Sequence, residues 1–143
     1  MNTKELAQRW FEEIWNRKNS GVIHEMMHPE GVGRTEGGAI TGPGDFEQQM
    51  FVPLNAAFPD LSVTLDGIIS EGDDAVVRWT ATGTNAGELL GIKATGRRLN
   101  FSGMTWLRFS EGRIVEGWDR WNLHGLLGLL QQGAPSATCA WVD

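Results

Sequence analysis

The sequence has little of several residue types that define other classes of protein. One of its 143 residues is a cysteine, Cys139, which excludes a disulfide framework and a cysteine-based metal site. Its three histidines are scattered, so we expect no metal ion. The net charge is −6, the pI is near 5.0, and no basic cluster is present, which argues against nucleic-acid binding.

Long apolar runs are also missing. The first ten residues, MNTKELAQRW, lack the basic and apolar segments of a signal peptide, and no later run approaches the length of a membrane span. We therefore expect a soluble, cytoplasmic protein without a membrane partner. The length is that of one ordinary domain, so residues 1–143 are predicted to fold around one core.

Tryptophan, in contrast, is abundant: the chain has seven tryptophans and no tyrosine. An indole ring buries a large apolar area, and several rings together can line a cavity for a flat ligand. The alternative is that these rings only fill a small core.

Helical patterns dominate the first part of the chain. Residues 2–18 have apolar residues at four-residue spacing behind a capping box formed by Asn2 and Glu5. Residues 22–28 predict a second short helix that Pro29 ends. After a glycine-rich stretch with a short strand around residues 32–34, a third helix is predicted over residues 45–57. Asp45 is expected to cap it, and Pro53 to kink or split it.

A period of two begins after this helix. It predicts strands over residues 61–66, 75–83, 97–109 and 113–122, with a loop at 85–96 and a last helix at 123–132. Residues 133–143 give no clear assignment. Helices segregated from antiparallel strands indicate an α+β fold. We expect a curved sheet that wraps against the N-terminal helices and encloses one apolar pocket.

The segment WDRW near the end of the last strand is unusual. Asp119 lies between Trp118 and Trp121, and strands rarely hold an aspartate centrally. A carboxyl group walled by indole rings has a raised pKa, which suits proton transfer. The alternative is that Asp119 faces solvent and pairs with Arg120 or Arg108.

Several segments together resemble the SnoaL-like polyketide cyclases of the NTF2-like superfamily. They are AAFPDL at 56–61, RWTATGTNAGELLGIKATGRRLNFSG at 78–103, EGRIVEGWD at 111–119, the final GLLQQ, and the pair His28-Pro29. The resemblance covers nearly the whole chain. It implies a cone-shaped α+β barrel that forms a homodimer or homotetramer through the outer face of its sheet.

The resemblance also implies roles for individual residues. The family's acid/base aspartate corresponds to Asp119, and two positions that are often histidine correspond to Thr105 and Asn85. The implied activity is cofactor-independent aldol-type cyclisation or isomerisation of an apolar carbonyl compound such as a polyketide. The expected substrate-binding residues are Thr105, Arg78, Asn85, Trp106, Trp118, Trp121, Asn122, His28 and Trp10, with Trp79 as a further candidate for the pocket. His28 could instead be a helix cap.

Strand alternation divides these candidates between two faces. Gly117, Asp119 and Trp121 share one face and Glu116, Trp118 and Asn122 the other, while the register decides whether Thr105 joins Asp119. Whichever tryptophan does not line the pocket should lie on the outer face, where a homodimer or larger assembly would bury it. Two other functions remain open: an epoxide hydrolase that uses Arg78 with Asp119, and a protein that binds a small molecule without catalysis.

Overall fold

Helices precede strands in the computed structural model, which describes residues 1–132 and the backbone of residues 137–139. The described helices are α1 (Thr3–Phe11), α2 (Gly21–Met26), α3 (Gly42–Phe46), α4 (Val52–Ala57) and α5 (Leu123–Gln132). The strands are β1 (Met27–Thr35), β2 (Gly38–Thr41), β3 (Ser62–Glu71), β4 (Asp74–Thr84), β5 (Arg98–Ser110), β6 (Arg113–Trp121) and β7 (Ala137–Cys139). The expected α+β class is confirmed.

The strands form one curved, unclosed sheet in the order β2-β1-β6-β5-β4-β3, with β7 added beside β5. Pairing along this order is antiparallel except between β1 and β6, which run parallel, and β7 is also parallel to β5. The expectation of a mostly antiparallel sheet is therefore confirmed. Of the segment 133–143, which has no clear assignment from the sequence, residues 133–136 and 140–143 lie outside the described residues.

The first helix begins where the sequence predicts because Asn2 caps it. The Asn2 side chain accepts a hydrogen bond from the Glu5 backbone N–H at 2.8 Å, and the Glu5 carboxylate accepts one from the Asn2 N–H at 3.3 Å. A π-helical turn, Glu12–Asn16, continues α1. Lys18 then leaves the helix with a positive φ of 57°, and its ammonium group donates to the carbonyls of Trp15 and Leu61.

The second helix is shorter and the first strand longer than the pattern predicts. Helix α2 ends at Met26 rather than at residue 28, and β1 covers Met27–Thr35 rather than a few residues around 32–34. The reason is long-range pairing: Met27 lies opposite Ile114, and Val32 opposite Glu116, with a bulge between these two pairs. Bulges admit proline, which explains how a strand continues through Pro29.

The third predicted helix is a composite of three segments. A π-helical turn, Glu47–Phe51, connects α3 to α4 without a break, so Pro53 does not split the helical stretch. The stretch begins at Gly42, before the expected cap. Asp45 lies inside it and reaches back to accept the N–H of Thr41, the N-cap residue, at 3.0 Å.

The helices cover the concave face of the sheet. Trp10, Phe11 and Ile14 of the first helical stretch are buried. Buried inward residues alternate with mostly half-buried ones along β4 and with mostly exposed ones along the second half of β5. Phe101 lies near the centre of this core, with ring centroids 5.5 Å from Phe58 and 5.3 Å from Trp121. Among the described residues, no helix has the length and apolarity required to cross a bilayer.

The loop between β4 and β5 is organised by Asn85, whose side chain is fully buried. Its Oδ1 accepts the backbone N–H of Thr95 at 2.8 Å and the Thr95 hydroxyl at 2.9 Å, and its Nδ2 donates to the Gly87 carbonyl at 3.0 Å. These bonds connect the two ends of the loop. Gly87 rests against the end of α4, where an added Cβ would lie 2.3 Å from the Ala56 carbonyl oxygen.

We predict that Asn85→Ala lowers the free energy of unfolding by about 1–3 kcal/mol, because it leaves buried polar groups of the loop without partners. Urea denaturation measures this change. Asn19→Ala removes an exposed amide at a 3.3 Å contact and serves as the control, with an expected change within about 0.5 kcal/mol. Equal effects of the two substitutions would contradict the role assigned to Asn85.

Candidate functional site

The register between β5 and β6 places Thr105 directly opposite Asp119. Both residues occupy the inward face, as do their strand neighbours Leu107 and Gly117, which form the next pair along. The outward residues of the same strands are Trp106 and Trp118, which also lie opposite each other. The sequence did not decide which face of β6 points towards the helices. In the structure it is the face that carries Asp119 and Trp121.

Three side chains from three adjacent strands form a hydrogen-bonded chain. The indole Nε1–H of Trp79 on β4 donates to the Thr105 hydroxyl at 2.9 Å, and that hydroxyl donates to Asp119 Oδ1 at 2.6 Å. An indole N–H can only donate, so the Thr105 proton is directed towards the carboxylate. The second oxygen, Oδ2, accepts no hydrogen bond from the described residues and is available to a ligand.

A cavity of about 80 Å³ lies over this carboxylate. We call it the inner chamber. Its walls are apolar side chains from the N-terminal helices and the concave face of the sheet, and five tryptophans border it: Trp10, Trp15, Trp79, Trp118 and Trp121. Asp119 is the one ionisable residue among its described lining residues. The chamber can therefore hold an apolar group and present it to a single carboxyl group.

Two tryptophan side chains reach the chamber over a glycine. A Cβ at Gly103 of β5 would lie 2.4 Å from Trp121 Cβ and 2.8 Å from Trp79 Cζ2. Real Cβ atoms do not approach so closely, so another residue at this position would displace the rings. Gly103 thus permits the packing that brings Trp79 within reach of Thr105.

Burial is the main influence on the carboxyl group, and it raises the pKa of Asp119 above its usual value. The Thr105 hydrogen bond and the positive charge of Arg120 lower this pKa in part, while the negative charge of Glu36 raises it. The Arg120 guanidinium donates to the backbone carbonyl of Asp119 at 2.7 Å, and Arg108 pairs with Asp74 at 2.9 Å. The alternative of a solvent-facing ion pair at Asp119 is therefore not what the structure has.

Six predicted site residues border the inner chamber or lie in it, namely Asp119, Thr105, Trp10, Trp79, Trp118 and Trp121. The ring of Trp118 nevertheless packs on the outer side against Trp106, with ring centroids 5.5 Å apart and Arg108 above it.

The other five candidates, Arg78, Asn85, Trp106, Asn122 and His28, lie outside the cavities. Arg78 and Trp106 are exposed on the outward positions of β4 and β5. Asn85 holds its own loop, as described above.

Asn122 and His28 act locally on the backbone. Asn122 Oδ1 accepts the Gly125 N–H at 2.9 Å at the start of α5. His28 lies within β1 and not at a helix end, so it is not the expected C-terminal cap; its Nδ1 accepts the Glu30 N–H at 3.0 Å.

A second, larger cavity of about 220 Å³, which we call the outer chamber, adjoins the first. Ile40, Met50, Leu54 and Trp121 line both chambers and form the partition between them. Glu36, in the turn between β1 and β2, lies at the outer chamber, and its Oε1 accepts the Trp121 backbone N–H at 3.1 Å. Sequence reasoning missed Glu36, because a glutamate in a glycine-rich turn carries no distinctive pattern.

Sequence reasoning also missed Gly103, although a glycine inside a bulky strand is a recognisable sign of close packing. Within the described part of the chain, no group of three or more histidine, cysteine, aspartate or glutamate side chains is arranged to hold a metal ion.

Comparisons with solved structures identify similar folds. AclR, a candidate hydroxylase from Streptomyces galilaeus, is 30% identical, with 90% of this chain and 94% of that one covered and a TM-score of 0.79. A candidate SnoaL-like polyketide cyclase from Jannaschia sp. CCS1 is 23% identical, with 91% and 92% covered and a TM-score of 0.83. IdmH, a candidate polyketide cyclase from Streptomyces antibioticus, is 24% identical, with 91% and 99% covered and a TM-score of 0.80.

No match is found among curated proteins. The family model of the SnoaL-like polyketide cyclases, in contrast, matches residues 5–132, which is most of the chain. The α+β architecture, with N-terminal helices and a curved, unclosed sheet, agrees with the fold that the resemblance in the sequence implies. The chain belongs to the SnoaL-like polyketide cyclase family, with the NTF2-like fold.

Proposed function

We propose that the protein catalyses cofactor-independent aldol-type cyclisation or isomerisation of an apolar, polyketide-like carbonyl compound, with Asp119 as the general acid/base. Family membership supports the coarser statement, a role in small-molecule cyclisation or isomerisation. The observation that carries the finer proposal is a single carboxyl group, oriented by Thr105 and with a raised pKa, in an apolar chamber.

The proposed reaction needs one proton to move twice. The Asp119 carboxylate removes a proton from the carbon next to a carbonyl, which leaves an enolate and a protonated Asp119. The enolate carbon forms a bond to a second carbonyl carbon of the same molecule, and the resulting alkoxide takes the proton back from Asp119. A raised pKa suits both steps, because the group is then a better base and still returns the proton.

The apolar walls contribute in two ways. They hold the substrate in a folded geometry that keeps its two reacting groups close together, which lowers the entropy cost of bringing these groups into position. They also exclude water, which would otherwise compete for the enolate. Thr105 keeps Oδ1 in place, so that Oδ2 meets the substrate in one orientation.

The epoxide-hydrolase alternative loses its support from Arg78. Asp119 faces the inner chamber, whereas Arg78 occupies an exposed, outward position on β4. A binding protein without catalytic activity is the remaining alternative, and the Asp119 experiments below separate it from an enzyme. The organisation of residues 1–143 as one domain and the cytoplasmic location stay predictions.

We predict that Asp119→Asn slows proton abstraction by about 10²–10⁴-fold, the usual contribution of a general acid/base. The measurement is hydrogen–deuterium exchange next to the carbonyl of 2-tetralone in deuterated buffer, followed by mass spectrometry. The probe should still bind the variant, because asparagine preserves the shape of the side chain. If wild type and variant exchanged at the same rate, the enzymatic proposal would be wrong.

Thermal stability supplies the control for folding. A carboxyl pKa that is higher in the folded than in the unfolded state means that the folded protein holds more proton, so stability falls as pH rises through that window. Asp119→Asn removes this pH-dependent loss of stability. The variant should therefore melt above the wild type at neutral pH, with a difference that shrinks in acid.

We predict that Thr105→Val raises the pKa of Asp119 further, because the substitution removes the hydroxyl that stabilises the charged carboxylate. An NMR titration of protein with 13C-labelled aspartate measures this directly, without a substrate. Thr105→Ser retains the donor and should leave the titration unchanged. A lower pKa in the valine variant, or the same shift in both variants, would contradict the assigned hydrogen bond.

We also propose that the outer face of the sheet forms a homodimer or larger assembly. Trp106 is 44% exposed and Met104 39% exposed on β5, and the Trp106–Trp118 pair continues this apolar surface onto β6. Exposed aromatic patches of this kind mark protein interfaces.

Light scattering at high micromolar concentration is expected to give at least twice the monomer mass. Trp106→Glu should reduce it towards the monomer, because it places a charge in the apolar face. Val52→Glu, at a position of similar exposure on α4, is the control and should not change the mass. A monomeric wild type would rule out the assembly.

A further inference from the structure

The size of the inner chamber indicates that it holds only part of a substrate. Its volume of about 80 Å³ is well below the roughly 300–1,000 Å³ of ordinary small-molecule sites. The adjoining outer chamber adds about 220 Å³ on the far side of the Ile40, Met50, Leu54 and Trp121 partition. The outer chamber can hold the remainder of an elongated substrate, since the same side chains border both chambers.

Each chamber carries one ionisable side chain among its described lining residues, and both are carboxyl groups. Asp119 belongs to the inner chamber and Glu36 to the outer one. Glu36 Oε1 accepts a hydrogen bond from the Trp121 backbone N–H at 3.1 Å, and this bond holds the carboxylate at the end of β6. Its Oε2 accepts no hydrogen bond from the described residues and can receive a donor from a ligand.

We propose that the two chambers form one binding site, in which Glu36 accepts a hydrogen bond from a hydroxyl group at the far end of an elongated, uncharged substrate. This proposal rests on the proposed function, since Asp119 then acts on the carbonyl at the near end. A carboxylate at Glu36 attracts a donor and repels an anion, so it discriminates by charge as well as by hydrogen bonding. Substrates that end in a free carboxylate are disfavoured.

The effect of Glu36 on Asp119 agrees with this arrangement. Its negative charge is the smallest of the influences on the pKa of the Asp119 carboxyl group, and it raises this pKa, as a carboxylate in the neighbouring chamber would. A ligand that reaches from one to the other must pass Trp121, whose ring is held against Phe101 at 5.3 Å. The partition residue is therefore positioned to contact the middle of the ligand.

Three naphthyl ketones that differ only at the far end test the role of Glu36: 6-hydroxy-2-acetylnaphthalene, its methoxy analogue and 6-acetyl-2-naphthoate. Isothermal titration calorimetry at neutral pH should give the tightest binding for the hydroxyl compound and the weakest for the carboxylate. Glu36→Gln should reduce the preference for hydroxyl over carboxylate by about two- to fivefold, as expected for an exposed charge.

The matched control is Glu30→Gln, which removes an equal charge at an exposed position of β1 outside the cavities. It should leave the preference unchanged. The proposal is overturned if the two variants behave alike, if the wild type binds the carboxylate as tightly as the hydroxyl compound, or if it binds none of the three.

A second pair of variants tests whether the chambers act together. Ala39 is exposed and lines the outer chamber, so Ala39→Trp should fill it and weaken all three ketones at least threefold. Ala94→Trp, at an exposed position outside the cavities, should have no such effect. Unchanged binding in Ala39→Trp would overturn the shared site. These are binding measurements, so they can fail while Asp119→Asn still slows exchange, and the reverse is equally possible.

Discussion

The register between β5 and β6 is the constraint on which the rest of the structure depends. Side chains alternate between faces, so a shift of one residue would turn Asp119 outward and bring Trp118 into the core. Packing fixes the register: Gly103 leaves the space that Trp79 and Trp121 occupy, and Gly117 lies against Leu107. The same pairing that orients the carboxyl group thus also determines which tryptophans remain outside.

Placing a carboxyl group in this core lowers stability, and the core around it offsets that loss. Burial disfavours the charged form of Asp119, and one hydroxyl only partly compensates. Aromatic packing in the rest of the core offsets this loss of stability. Phe101 contacts Phe58, Trp79 and Trp121 at centroid distances of 5.3–6.2 Å. A site that costs stability locally is typical of residues retained for function rather than for folding.

Much of the fold could be predicted from the sequence, because its strongest signals are local. Alternation over 97–109 and 113–122 and the turn between them predicted the hairpin, whereas the tryptophans around Asp119 indicated its burial only as one of two alternatives. What depends on distant partners could not be predicted. The length of β1 follows from parallel pairing with β6, and the Thr105–Asp119 bond follows from a register that the pattern leaves open. Polar residues such as Asn85 and Asn122 were placed in the pocket, whereas their amides serve nearby backbone groups.

A threonine at position 105, where the resemblance to the family implies a histidine, changes what controls the carboxyl group. An imidazole gains and loses its charge near neutral pH, so its effect on a neighbouring carboxylate varies with pH. A threonine hydroxyl is neutral throughout that range, and Trp79 fixes its direction by occupying its acceptor side. The pKa of Asp119 then depends first on burial, next on the Thr105 hydrogen bond, and after that on the charges of Arg120 and Glu36. The sheet accordingly fixes the surroundings of the proposed acid/base group, while helices and turns line the two chambers beside it.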